Sequence, residues 1–320
     1  MRNRYFMGID TSNYTTSIAL IDDMDNIILD LRKVLKVDKG KKGLRQQEAV
    51  FQHVNNFPEL FNSIGEQIDF NNIYTVSCSH KPRNVKESYM PVFRVGRGQA
   101  LIMSKVLKAN YYEFSHQEGH IAAGIMYNEL KDKSEFLSLH ISGGTTELLL
   151  VNRKNSDFNI DIIGGTLDIS IGQLIDRIGV EMGLNFPCGK EMDDMSKKGN
   201  VLELKIPISI KDDTWFNLSG LENYFKNLLH DDKLIAEDVL ATFFNSISLY
   251  LIEIIVKASK IYGINSILIT GGVAANSTIR KLLQKELNRV NISVYFPKIE
   301  LCTDNAIGIA YLGKVKAFSR

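Results

Sequence analysis

The chain states one local pattern twice. Residues 5–11 (YFMGIDT), 15–21 (TTSIALI) and 27–32 (IILDLR) are short apolar segments separated by polar turns. Residues 136–142 (FLSLHIS), 145–151 (TTELLLV) and 158–163 (FNIDII) repeat the arrangement. Apolar runs of this length between turn residues read as strands. Both meanders place a polar turn ending in Thr-Thr between their first two strands, DTSNYTT at 10–16 and SGGTT at 142–146. After the first meander the spacing predicts a helix over 46–65, a strand over 72–78, a helix over 96–108 and a short strand over 110–115. After the second it predicts a helix over 170–183, an irregular insert, a long helix over 236–260, a strand over 264–270, a helix over 275–289 and a strand over 292–296. A last helix, over 304–318, closes the chain.

Two copies of strand–strand–strand–helix–strand–helix–strand predict an α/β chain with a duplicated actin-like (ribonuclease H-like) fold. Its 320 residues exceed one typical core, which favours two lobes. The expected division is residues 1–115 plus 304–320 as the N-terminal lobe, and 116–303 as the C-terminal lobe with an insert at about 184–235. Folds of this kind hold a nucleotide in a cleft between lobes, so an adenylate or ATP is expected there. Tight glycine turns expose backbone N–H groups that can hold phosphate oxygens. Gly143-Gly144 is one such turn. Gly271-Gly272 is another, between a strand and a helix N-terminus that favours anions.

Charge and cysteine usage narrow the setting. The net charge of +1 rules out a globally polyanion-binding chain, so nucleic acid must meet a local patch. Lys36, Lys39, Lys41, Lys42 and Arg45 form one candidate. Cys78, Cys188 and Cys302 are odd in number and far apart, which suits reduced thiols in a cytoplasm. MRNRYFMGID reads as the start of a strand, and no signal peptide is expected. The apolar run around Leu249–Val256 is too short and interrupted for a membrane span, and no membrane partner is expected.

The densest chemical signal is HQEGH at 116–120. Histidines four apart share a helix face and can reach one metal ion. A zinc protease of the H-E-x-x-H type needs its glutamate directly after the first histidine. Gln117 stands there, and Glu118 lies about 200° around the helix from His116.

The ordered motifs resemble the tRNA adenosine threonylcarbamoyltransferases, formerly called glycoproteases. MGIDTS at 7–12 is similar to the family's opening strand and turn, and HQEGH to its metal-binding H-x-E-G-H. HISGGTTEL at 140–148 is similar to its substrate-binding turn. IGQLIDRIGVEMGLNFPCG at 171–189, FNLSGLENY at 216–224, GGVAANSTIR at 271–280 and CTDNAIGIA at 302–310 follow in the family's order.

The resemblance implies that His116, His120 and Asp304 bind one divalent metal ion, iron or zinc, with Asp304 at the start of the last helix. It implies that His140, Ile141, Ser142, Gly143, Gly144 and Thr145 contact the substrate, threonylcarbamoyl-AMP. Asp176, Gly189 and Asn276 then hold the nucleotide, Asp193 lies near a ribose contact, and Gly271 and Gly272 line the nucleotide's turn. His140 occupies the place of a metal-ligating tyrosine in archaeal members and is expected to be a third imidazole ligand. The implied reaction is transfer of the threonylcarbamoyl group to the N6 amine of the adenosine beside the anticodon of tRNA, with auxiliary protein subunits as further partners. Backbone N–H groups at Ser142 to Thr145 are expected to stabilise charge on the leaving phosphate, with Ser142 counted as catalytic, and Asp10 is the nearest carboxylate, either a base or a structural residue.

Two departures point to a divergent bacterial paralogue. Asn13-Tyr14-Thr15 replaces the family's early acidic residues. CSHKPRNVKESYMPVFRVG at 78–96 replaces a glycine-rich loop with a basic, bulkier one. The alternatives are a carbamoyl- or acyltransferase with another acceptor, a small-molecule kinase of the same fold, and a non-catalytic nucleotide-binding paralogue.

Overall fold

The computed structural model describes residues 4–37, 44–65, 68–154, 157–207 and 209–319. Lys39, Lys41 and Lys42 of the predicted basic turn lie outside the described residues. The chain forms two compact units. The first comprises Met1–Asp132, Arg153–Asn159 and Thr303–Arg320, and the second comprises Lys133–Asn152 and Ile160–Cys302.

The first unit begins with strands β1 (Tyr5–Thr11), β2 (Thr15–Ile21) and β3 (Ile27–Val34). Helix α1 (Gln46–Asn62), strand β4 (Ile73–Lys81), helix α2 (Phe93–Val106), strand β5 (Asn110–Ser115) and helix α3 (His116–Ile125) follow. The next strands are β6 (Glu135–Ile141), β7 (Thr146–Lys154) and β8 (Asp157–Thr166), then helices α4 (Ile171–Glu181) and α5 (Gly189–Ser196). The insert contributes two-residue strands β9 (Ile210–Lys211) and β10 (Trp215–Phe216) and helix α6 (Ser219–Leu229). Helix α7 (Ala236–Tyr262), strand β11 (Ser266–Thr270), helix α8 (Ser277–Arg289) and strand β12 (Ser293–Tyr295) complete the second unit, and α9 (Ile307–Phe318) belongs to the first.

The duplication is visible in the sheets. The first runs β3-β2-β1-β4-β5, and the second carries the equivalent β8-β7-β6-β11-β12 with β10 and β9 added beyond β8. In each, the meander's first strand is antiparallel to its second and parallel to the strand that returns after a helix. β1 and β2 are buried almost throughout, as their unbroken apolar runs require when both sheet faces are covered. β3 is the edge, and its Asp30, Arg32 and Lys33 keep that edge polar.

Residues 116–132 belong to the first unit, whereas the sequence ended that lobe at 115. The reason is a close helix crossing. A Cβ on Gly308 of α9 would lie 1.9 Å from the carbonyl oxygen of Gly119 on α3. Only a glycine at position 308 lets the two backbones meet there. On another side of α9, a Cβ on Gly8 of β1 would lie 2.1 Å from the Ala306 carbonyl. The tail of the chain is thus seated on β1 and α3 by backbone contact.

α7 meets the expected long helix over 236–260, ending two residues later. Its length and composition would suffice to cross a membrane, but 72% of its most apolar window is buried. Leu240, Phe243, Phe244, Ile247, Leu251 and Ile254 build the core of the second unit, and Gly263 ends the helix in a left-handed cap at φ 69°.

Candidate functional site

α3 starts where a local signal tells it to. Ser115 Oγ accepts from Glu118 N at 3.2 Å, and Glu118 Oε2 accepts from Ser115 N at 2.6 Å. This capping box satisfies two otherwise orphaned amides and fixes His116 as the first helical residue. It also gives Glu118 a structural role. His116 and His120 then stand one turn apart, with ring centroids 4.5 Å apart and Nε2 atoms 3.0 Å apart.

Asp304 joins them from the loop before α9. Its Oδ1 lies 3.5 Å from His116 Nε2 and 3.4 Å from His120 Nε2. The helix begins later than the sequence implied, at Ile307, whose amide is taken by Asn305 Oδ1 at 3.0 Å. Asp304 is therefore free of the helix, and all three groups lie in the first unit. Donors bound at about 2.0–2.2 Å to one ion sit about 3.0–3.5 Å apart, which matches this triangle. Two imidazoles and a carboxylate suit iron or zinc.

The electrostatics fit a cation. Burial disfavours charge on His116, but Asp10 and Asp304 outweigh it and hold its pKa well above the usual histidine value. Burial likewise opposes charge on Asp304, yet hydrogen bonds from His116 and His120 hold it well below the usual carboxylate range. Asp10 is fully buried, with Oδ1 3.0 Å from His116 Nδ1 and no hydrogen-bond partner at Oδ2 among the described residues. A carboxylate behind a ring places the proton on Nδ1 and leaves Nε2 as a donor atom. This position makes Asp10 a brace for the ring; it is closed to solvent.

Two further residues, which the sequence reading left without a role, support the triangle. Ser12 Oγ donates to Asp304 Oδ2 at 2.5 Å. Behind Ser12 sits His53, fully buried, with Nε2 2.8 Å from the Ser12 carbonyl and Nδ1 2.8 Å from Thr16 Oγ1. Burial pushes the His53 pKa down, so the neutral ring donates to Ser12 and accepts from Thr16. The available signal was a polar pair three apart, His53 and Asn56, on a helix face otherwise made of Ala49, Phe57 and Leu60: Asn56 Nδ2 also donates to Thr16 Oγ1, at 3.2 Å. Replacing His53 with alanine is expected to weaken metal binding about tenfold without touching a ligand. Competition with a chelator measures this, and unchanged affinity would remove the bracing role.

In the second unit, two glycine turns lie side by side. His140 pairs with Thr270 across parallel β6 and β11, so the turn after each strand leaves the same sheet edge. Ser142 closes the first turn: its amide donates to the Thr145 carbonyl at 2.9 Å, and its Oγ accepts from Thr145 N at 3.1 Å. Ile141 is buried beneath it, and Gly143 and Gly144 have open space where a Cβ would point. Gly271, at φ 92°, lies so close to Ile141 that a Cβ would be 2.3 Å from its carbonyl oxygen, and Gly272 follows with open space. Asn276 caps α8, its Oδ1 accepting from Ile279 N at 2.9 Å, and its buried Nδ2 has no hydrogen-bond partner among the described residues.

The other predicted contacts are more occupied. Asp176 Oδ1 accepts from Cys188 N at 2.9 Å, beside Gly189, and burial raises its pKa. Asp193 accepts from the amides and hydroxyls of both Ser277 and Thr278 at 2.7–3.1 Å. Its carboxylate is thus spent on the start of α8. His140 has Nδ1 3.1 Å from Thr270 Oγ1 and lies in the second unit, outside the His116–His120–Asp304 group.

Sheet topology defines the class: a duplicated actin-like α/β fold, here bearing a His-His-Asp cluster. Solved structures share the fold at low identity. T. kodakarensis HypF matches with a TM-score of 0.61 and 13% identity, over 99% of this chain and 48% of that one. The Acidaminococcus fermentans (R)-2-hydroxyglutaryl-CoA dehydratase component A matches with a TM-score of 0.55 and 14% identity, over 98% and 99% of the respective chains. The family model for tRNA N6-adenosine threonylcarbamoyltransferase matches residues 39–311. The protein of that name from Thermotoga neapolitana is 31% identical, over 97% of this chain and 94% of its own length. That from Thermosipho africanus is 31% identical over 96% and 92%. The chain belongs to the tRNA N6-adenosine threonylcarbamoyltransferase family, and it is an acyltransferase.

Proposed function

We propose that the protein transfers the threonylcarbamoyl group of threonylcarbamoyl-AMP to the N6 amine of the adenosine beside the anticodon of tRNA, in the cytoplasm. The observation that carries this reading is the convergence of His116, His120 and Asp304 in a chain of this family. In the reaction the N6–carbon bond forms, the carbon–oxygen bond to AMP breaks, and the amine loses a proton. An exocyclic adenine amine is a weak nucleophile, so the carbonyl carbon must be made electrophilic and held in line.

His116, His120 and Asp304 would hold a divalent ion, which when bound would supply Lewis acidity toward a carbonyl or carboxylate oxygen. Asp10 holds the His116 ring through Nδ1 and Ser12 holds Asp304, so that His116 Nε2, His120 Nε2 and Asp304 Oδ1 face one another. In the second unit, the turns at Gly143-Gly144 and Gly271-Gly272, with open space at the would-be Cβ of Gly144 and Gly272, are read as holding the phosphate oxygens through backbone amides. Ser142 keeps that turn closed. Asn276 Nδ2 is a buried donor awaiting an acceptor, which an adenylate supplies. Asp176, with its pKa raised, lies beside Gly189 as a ribose contact. Asp193 orders α8 and acts through Asn276, and His140, held by Thr270, is read as part of the substrate turn.

Expression in a strain depleted of its own threonylcarbamoyltransferase tests the reading, with mass analysis of tRNA nucleosides. Restored N6-threonylcarbamoyladenosine is the expected result. Its absence with folded, metal-loaded protein would overturn the assignment of tRNA as acceptor.

A further inference from the structure

The loop between β4 and α2 is tied to the metal centre at three points. Gln117 N, next to the first histidine, donates to the Pro82 carbonyl at 3.0 Å. The Phe93 ring lies 5.9 Å from the His116 ring. Thr11 Oγ1, next to Asp10, donates to the Val92 carbonyl at 2.9 Å and accepts from Gly96 N at 3.1 Å. Both ends of the loop are therefore fixed beside the triangle, and the residues between them form a rim segment that spans the two anchors.

That rim is basic and aromatic. Lys81, Arg83, Lys86 and Arg94 stand against one carboxylate, Glu87, over residues 81–96. Lys86 and Arg94 are exposed, and neither pairs with a carboxylate among the described residues. Tyr89 is 65% exposed, and its ring faces the Arg94 guanidinium at 6.0 Å. A short turn, with Ser88 N on the Val85 carbonyl and Arg83 N on Ser88 Oγ, holds the loop in shape. Cations next to a solvent-facing aromatic plane are what an RNA loop requires: charge for its backbone and a platform for an unstacked base.

We infer that residues 81–94 are the docking rim for the acceptor tRNA's anticodon loop, with Lys86 and Arg94 on phosphates and Tyr89 beneath a base. This rests on the proposed transfer to tRNA and adds the surface that recognises it. The globally neutral chain then concentrates its attraction for RNA at the place where the chemistry occurs.

Binding of an in vitro-transcribed tRNA carrying adenosine beside the anticodon, measured with the full chain over a range of salt, tests the inference. The double variant Lys86→Ala/Arg94→Ala is expected to bind about 10- to 100-fold more weakly, with a salt slope shallower by about 1.5. Tyr89→Ala is expected to lose about 5- to 100-fold with the slope unchanged, and Tyr89→Phe to retain affinity. An isolated anticodon stem-loop is expected to show the same sensitivities. Metal content and thermal midpoint equal to the unaltered protein establish that each variant is folded, and single Lys86→Ala, at an exposed turn, serves if the double variant is not. Unchanged tRNA affinity and slope in all these variants would overturn the inference while leaving the proposed transfer intact. So would a raised KM for the adenylate donor with tRNA binding unaltered. Failure of the unaltered protein to bind tRNA would instead remove the proposed transfer, and the rim with it.

Discussion

His120→Ala is expected to strip the protein of its bound transition metal and to lower threonylcarbamoyl transfer at least about 100-fold. Loss even of a residue that only supports a ligand costs about 10- to 100-fold in metal affinity or activity, and His120 is itself placed as a ligand. Its Nε2 forms two edges of the donor triangle, 3.0 Å to His116 and 3.4 Å to Asp304. Without it one imidazole and one carboxylate remain, too few for the closed side of a four-coordinate site. The fold is expected to survive, since alanine is the best helix former and α3 is capped independently by Ser115 and Glu118. Elemental analysis of the purified variant and a single-turnover transfer assay measure the two effects. Full metal content with lost activity would instead make His120 a group that contacts substrate.

Gly308→Ala is expected to damage stability and metal binding together. The new Cβ would meet the Gly119 carbonyl oxygen at 1.9 Å and the Ala123 amide at 2.8 Å. Both are backbone atoms, which cannot swing aside as a side chain can. The helices must separate, at about 1–3 kcal/mol for overpacking. In a unit of this size that lowers the melting temperature by about 3–10 °C. α3 carries His116 and His120, and α9 follows directly on Asp304, so separation also opens the donor triangle. Gly98→Ala is the contrasting change: it lies within α2 with nothing within 4 Å of its would-be Cβ, and is expected to stabilise by about 0.5–1 kcal/mol. Thermal unfolding and chelator competition on both variants check this. A Gly308→Ala protein with unaltered melting temperature and metal affinity would refute the close crossing.

Much of the architecture was legible because it is local. β1 and β2 fall on the segments read from their apolar runs, 5–11 and 15–21, since fully covered strands need unbroken apolar sequence. The equivalence of the two meanders was written in their paired Thr-Thr turns. The start of α3 is equally written in Ser115-x-x-Glu118, a capping-box pattern. α2 begins at Phe93, before the expected residue 96, because that ring packs against His116 and a separate buried group. No local pattern announces such a contact.

Asp10 and Asp193 show the opposite limit. Each is a carboxylate in a promising motif, and sequence gives both the same standing. Burial behind an imidazole makes one a brace, and four hydrogen bonds to Ser277 and Thr278 make the other a helix organiser. The roles differ because neighbours arriving from elsewhere in the chain consume different lone pairs.

The amino-acid order alone determined the two meanders, the helix that aligns His116 with His120, and the glycine turns, for each depends on spacing within a few residues. Tertiary structure alone decided that residues 116–132 pack with the chain's tail, that Ser12 and His53 steady Asp304, and that the basic loop borders the metal triangle. Periodicity tells a segment which face to bury. It carries no record of which distant segment will cover that face, and at this centre the covering partners set the chemistry.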